Sequence, residues 1–198
     1  MQQTKAWEDF RLDMSTSQTK NSEAVIDIPP DVNVTLKNSM LKVDGPLGKT
    51  HKSFKKIPVN ININDGKIIL KTNGTRKNDF AVLNTAKSLI KTLCEGVIVG
   101  YTIKMKIISS HFPITVKTDG KKVLIENFQG EKAHRIARIC GESKVTPKGE
   151  DLLITGHVLT DVTQTAAEIQ QGTKVKGKDH RVFLDGIYRY FKSNGIEK

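Results

Sequence analysis

A chain of 198 residues with 37% hydrophobic side chains can bury a real core, as one large domain or two small ones, and is expected to fold. Its 32 Lys and Arg against 21 Asp and Glu give a net charge of +11 and a pI near 9.6, which points to a polyanion such as nucleic acid as partner. The other polyanion, a phospholipid surface, has no support, because no apolar run of spanning length and no basic helix with a Trp or Phe face occurs.

Cys94 and Cys140 are too few for a disulfide scaffold or a Cys-rich zinc module, and both are expected to be buried, reduced thiols. The N-terminal stretch has no apolar signal core, and Glu8, Asp9 and Asp13 disfavour a transit peptide, so the cytosol or nucleus is the expected compartment. Residues 1–22 balance Lys5, Arg11 and Lys20 against those acids and read as a flexible extension.

From Val25 the pattern becomes a series of short strands: Val25 to Ile28, Val32 to Leu36, Leu41 to Val43, Ile57 to Ile63 and Ile68 to Leu70. They are separated by Pro29-Pro30, Asn38-Ser39, Gly45-Pro46 and Asp65-Gly66, as in a small meander. Beyond Thr75 the period changes. Val82, Leu83, Ala86, Leu89, Ile90 and Leu93 recur at helical spacing, with Gly96 as the expected C-terminal cap. Tyr101, Ile103, Met105 and Ile107 then alternate as a long strand opening a second unit.

The second unit repeats the first. A slide of 82 residues carries Val34, Leu41, Val43 and Gly48 onto Val116, Val123, Ile125 and Gly130; a slide of 84 carries Ile68 and Leu70 onto Leu152 and Ile154. The fold class read from this is α+β: two similar domains from internal duplication, each a small, mainly antiparallel sheet packed with one helix. The expected boundaries are 1–22 for the extension, 23–98 for the N-terminal domain, 99–190 for the C-terminal domain with its basic tail, and 191–198 for the end.

Two stretches of the second half concentrate cations. His111 to Arg138 reads as a hairpin around Thr118-Asp119-Gly120, followed by the turn Asn127-Phe128-Gln129-Gly130 and then Lys132, His134, Arg135 and Arg138. Amides exposed at a glycine turn beside such cations suit phosphate oxygens, while a solvated basic hairpin tip is the plainer reading of so short a run. A second helix is expected from Asp161, with Gln164 completing a capping box and Val162, Ala166 and Ile169 as a thin apolar stripe. Gln170 to Arg181 then carries Lys174, Lys176, Lys178 and Arg181 beside two glycines with Asp179 as its one acid. It is either a solvated tail or a strand that crosses phosphates, and the pinning residues Phe183, Leu184, Ile187 and Tyr188 favour the latter.

Catalytic chemistry is missing. Gly45-Pro46-Leu47-Gly48-Lys49-Thr50 imitates the end of a phosphate-binding loop, but the first glycine falls at Val43 and the stretch joins two strands. The five histidines form no i, i+4 pair, no nucleophile elbow is present, and carboxylates are sparse near the basic stretches.

The residues HFPI at 111–114, NFQGEK at 127–132, QQGTKVKGKD at 170–179 and FLDGIY at 183–188 closely resemble the eukaryotic form of the ribosomal large-subunit protein L-six family, called L-nine in eukaryotic nomenclature. DIPPDVNVTLKNSMLKVDGPLGK from Asp27 and GVIVGYTIKMK from Gly96 resemble its N-terminal half, so the likeness covers about residues 24–190. The resemblance implies a non-enzymatic, structural constituent of the large subunit that binds ribosomal RNA near the sarcin-ricin loop. It implies neighbouring ribosomal proteins near the stalk base, no cofactor, metal or small-molecule substrate, and a place in cytoplasmic ribosomes after nucleolar passage. By matching position it assigns RNA contact to Lys132, Arg135, Arg138, Lys174, Lys176, Lys178 and Arg181. A free RNA-binding assembly factor or RNA chaperone on the same fold is the alternative.

Overall fold

The computed structural model describes residues 23–196 apart from 65, 75 and 180, so the reading of residues 1–22 lies outside the described residues. The chain divides into two compact units, one made of residues up to Asp44 with His51–Cys94, the other of Gly45–Thr50 with Glu95 onward.

In the first unit the apolar alternation produces strands β1 (Glu23–Asp27), β2 (Asn33–Lys37), β3 (Met40–Gly45), β4 (Gly48–Ser53), β5 (Asn60–Asn64) and β6 (Lys67–Lys71), then helix α1 (Lys77–Ile98). They form two three-stranded sheets in place of one meander: β2-β3-β4 in sequence order, and β1-β6-β5, where the first strand returns to pair with the last. Leu41, Val43, Ile68 and Leu70 are fully buried, as are Ala86 and Ile90 of the helical stripe. β4, Gly-Lys-Thr-His-Lys-Ser, has no apolar alternation and is invisible to a hydrophobicity reading.

The second unit holds β7 (Tyr101–Ile108), β8 (Thr115–Asp119), β9 (Lys122–Glu126), β10 (Arg135–Arg138), β11 (Lys144–Lys148), β12 (Asp151–Gly156), α2 (Leu159–Gly172) and β13 (Gly186–Asn194). Its sheets are β8-β9-β10 and β11-β12-β7-β13. The repeat extends to register. Val34 faces Val43 across β2 and β3, and Val116 faces Ile125 across β8 and β9. Ile61 faces Leu70 and Ile63 faces Ile68, while Val145 faces Ile154 and Pro147 faces Leu152. Since a one-residue slip would turn every side chain to the wrong face, equal register in both units is a stronger sign of duplication than matching apolar letters. The second unit's core gathers Ile103, Met105, Val123, Ile125, Phe128, Leu152, Ile154, Val162, Ile169 and Ile187.

Three local expectations are corrected. α1 does not stop at Gly96 but runs to Ile98, and Gly100, at φ +76°, takes the left-handed position after it. Gly96 is small because the carbonyl of His157 lies where its β-carbon would be. α2 begins at Leu159 behind Val158, with no side-chain cap: Asp161 sits inside the first turn, where its charge suits the helix N-terminus, and Gln164 donates to Glu168 instead. Cys94 is buried as expected, whereas Cys140 is only half-buried; neither is in a disulfide.

Candidate nucleic-acid interface

The two cationic stretches of the second unit meet through one side chain. Arg135, at the start of β10, donates from its guanidinium to the carbonyls of Gly172 at 3.0 Å and Lys174 at 3.2 Å, tying the turn before β10 to the segment after α2. Its Nε and Nη2 grip both carboxylate oxygens of Glu131, and its plane lies 4.1 Å from the centroid of the buried Phe128 ring. This planar fork stacked on an aromatic is a use only arginine serves well. The hydrogen bond from Arg135 holds the Glu131 carboxyl below the usual glutamate range. Arg135 is therefore a brace for the surface, with its donors spent on protein.

The turn itself is strained in sequence but closed in structure. Asn127 (φ +58°), Gln129 (φ +52°) and Gly130 (φ +75°) all take left-handed backbone. Two of the amides here are used within the turn: Gly130 N–H donates to Asn127 O and Glu131 N–H to Phe128 O. Asn127 also donates from its side chain to the Pro113 carbonyl at 3.1 Å, and a β-carbon on Gly130 would sit 3.3 Å from the Phe112 ring. The turn thus packs on the HFPI stretch.

That stretch is in turn clamped to FLDGIY. Asp185, 2% exposed, accepts hydrogen bonds from the amide of Ser110 and, at 3.0 Å, from His111 Nδ1. Burial pushes its carboxyl up, but the bonds from Ser110 and His111 outweigh that, and the net position is below the ordinary aspartate value. The His111 ring stacks on Phe183 at 4.9 Å, and the Lys178 ammonium lies 4.5 Å from the centre of the same ring.

Four segments that are far apart in the chain, around residues 112, 128, 174 and 184, therefore build one surface. Lys174, Lys176 and Lys178 are exposed along the post-helix segment, and Lys132 and Arg138 are exposed on either side of Arg135 in the chain. Arg181 is exposed too, but its guanidinium is paired with Asp179 at 3.0 Å and 3.2 Å, a contact a phosphate would have to replace or share. The described residues 173–179 and 181–185 are not a strand, as the crossing-strand reading had them; they are irregular, and the Lys174 carbonyl, with that of Gly172 before it, holds Arg135. Val175, buried between Lys174 and Lys176, points the two lysines outward by alternation.

Sequence reasoning missed two groups. Glu131 is an acid inside a basic motif and Asp185 an acid inside an apolar one, and their roles as a cradle for Arg135 and an anchor for His111 leave no periodic trace. Both lie within motifs already singled out, and the signal that marks them is a lone acid among cations for Glu131 and among apolar residues for Asp185.

A family model described as "Ribosomal protein L6" matches residues 112–186, the span of this surface. The chain is 46% identical over 83% of its length to the large ribosomal subunit protein uL6 of Staphylothermus marinus, covering 91% of that protein. It is 40% identical over 85% to the Methanosarcina mazei protein of the same name, covering 96% of it, and 38% identical over 95% to that of Archaeoglobus fulgidus, covering 97%. With motifs, doubled fold and relatives over most of its length in agreement, the chain belongs to the ribosomal protein L6 family.

Proposed function

We propose that this protein is a structural constituent of the large ribosomal subunit, not an enzyme, and that it binds ribosomal RNA through the second unit. The observation that carries this reading is the meeting of the four motif segments, with the cations Lys132, Arg138, Lys174, Lys176 and Lys178 exposed within or next to them. Arg181 joins them by exchanging Asp179 for a phosphate, and Arg135 acts behind them by fixing the turn and the post-helix segment at one spacing. Contacts of this kind neutralise phosphates and read the shape of folded RNA, not base edges. The finer placement that the family resemblance implies is part of the proposal: the RNA lies near the sarcin-ricin loop, neighbouring proteins lie near the stalk base, and the protein works in cytoplasmic ribosomes after nucleolar passage.

A sucrose gradient tests this directly. A stoichiometric constituent stays with mature large subunits through a high-salt wash, whereas co-migration with precursor particles alone would assign the protein to assembly instead.

A further inference from the structure

The core face of the sheet β11-β12-β7-β13 is filled by Ile103, Met105, Ile154 and Ile187, and register fixes what stands on the opposite face. On β13, Tyr188 pairs with Lys106 and Phe191 with Lys104; on β11, Lys144 and Lys148 flank the buried Val145 and share that face. The bulge between Arg189 and Phe191 keeps both rings on it, although they are an odd number of residues apart. Tyr188 is 39% exposed, Phe191 46% and Ile108, beside them, 40%. Lys104 and Lys106 thus stand beside the two exposed rings, and Lys144 and Lys148 continue the same face on β11, at the far edge of the sheet beyond β7 and β12; the acid of that face is Asp151, joined by Glu150 from the adjoining turn, and both reach Lys106.

Tyr188 is built as a platform. A β-carbon at Gly186 would meet its ring and hydroxyl at 2.9 Å, so the far edge of the ring rests on the bare backbone of Gly186, and the hydroxyl donates to the Leu184 carbonyl at 3.3 Å. A ring held down on a strand in this way keeps its other side open. The Lys104 ammonium lies over the Phe191 ring, 5.4 Å from its centroid, placing a cation on one face of the second ring.

We propose that this face binds an unstacked stretch of RNA, with bases stacking on Tyr188 and Phe191 and phosphates meeting Lys104, Lys144 and Lys148. The inference rests on the RNA-binding reading above but adds a contact on the outer face of the sheet, which joins the motif surface at Tyr188. Charge selects the occupant: an acidic protein would satisfy the lysines, but exposed flat rings among cations suit bases, whose π-faces every unpaired nucleotide offers. A duplex hides those faces and gains nothing from the rings.

The test uses the full chain, a single-stranded eight-nucleotide oligoadenylate, and a perfectly paired RNA duplex of the same length. Tyr188→Ala/Phe191→Ala is expected to weaken the single strand by about tenfold or more per ring, leaving its salt slope and the duplex affinity unchanged. Tyr188→Phe/Phe191→Tyr is expected to bind like the parent, and the exposed positions should leave the melting temperature unmoved. Parent-like binding by the double alanine variant, or equal loss for strand and duplex, overturns the proposal. So does a photo-crosslinker at position 188 that attaches to a protein instead of RNA in assembled subunits. A parent that stays with large subunits but ignores the oligoadenylate overturns this inference alone; one that binds the strand but never joins subunits defeats the reading beneath it.

Discussion

The two units share strand order and register, yet only the second carries the turn Asn127–Gly130, the lysine segment after α2 and the extra strand β13. Bulk charge does not separate them: residues 1–98 hold 15 Lys and Arg and residues 99–198 hold 17. Both units carry lysines along their strands, but the second adds the irregular segment with Lys174, Lys176 and Lys178, whose backbone Arg135 holds. A duplicated scaffold thus supplies the core twice, and the surface proposed for RNA is built from features that one copy alone carries.

The largest effect is expected from stripping the added segment. Lys174→Ala/Lys176→Ala/Lys178→Ala/Arg181→Ala should lower affinity for ribosomal RNA by on the order of a hundredfold at moderate salt and flatten the salt slope by about three. The same charge removed from the exposed Lys37, Lys42, Lys55 and Lys56 of the first unit should change the affinity by only a few-fold. Equal losses in filter binding across a salt series would erase the contrast between the units.

Next comes the anchor. Asp185→Ala leaves the Ser110 amide and His111 without their acceptor and is expected to cost roughly 2 kcal/mol in urea unfolding. Because the folded carboxyl is depressed, its contribution is fully present above the unfolded value of about 3.9 and is lost as pH falls through the lower folded value. The parent and Asp185→Asn should therefore differ most near neutrality and converge in acid. A stability gap that stays constant down to pH 2 would deny the carboxylate this role.

Gly130→Val meets two obstacles, φ +75° and the Phe112 ring, and should cost about 1–2 kcal/mol while displacing Lys132. The same variant should enter subunits less well than its melting temperature alone would allow; normal incorporation would make the turn a plain hairpin end. The smallest effect is Arg135→Lys, which keeps the charge but loses the fork on Glu131 and the stack on Phe128, at about 1 kcal/mol. RNA affinity should fall with it even though no net charge changes, as a brace requires.

The doubled core was legible because period-two strands such as Leu41-Val43 and Val123-Ile125 must bury one face. β4 was not, since its polar letters carry no such pattern, and neither was the pairing of β1 with β6, which is a long-range choice. At the interface, the cations and the glycine turn could be read from spacing. The bonding of the Gly130 and Glu131 amides within the turn, the spending of Arg135 on carbonyls, and the placing of Tyr188 and Phe191 on one face across a bulge depend on register and tertiary contact, which local composition does not encode.

Crosslinking mass spectrometry on purified large subunits tests the central claim most directly, by asking which unit touches RNA. RNA adducts concentrated on peptides spanning residues 127–138 and 172–185 are the predicted result. Adducts concentrated on residues 33–56, with those second-unit peptides unmodified, would contradict it.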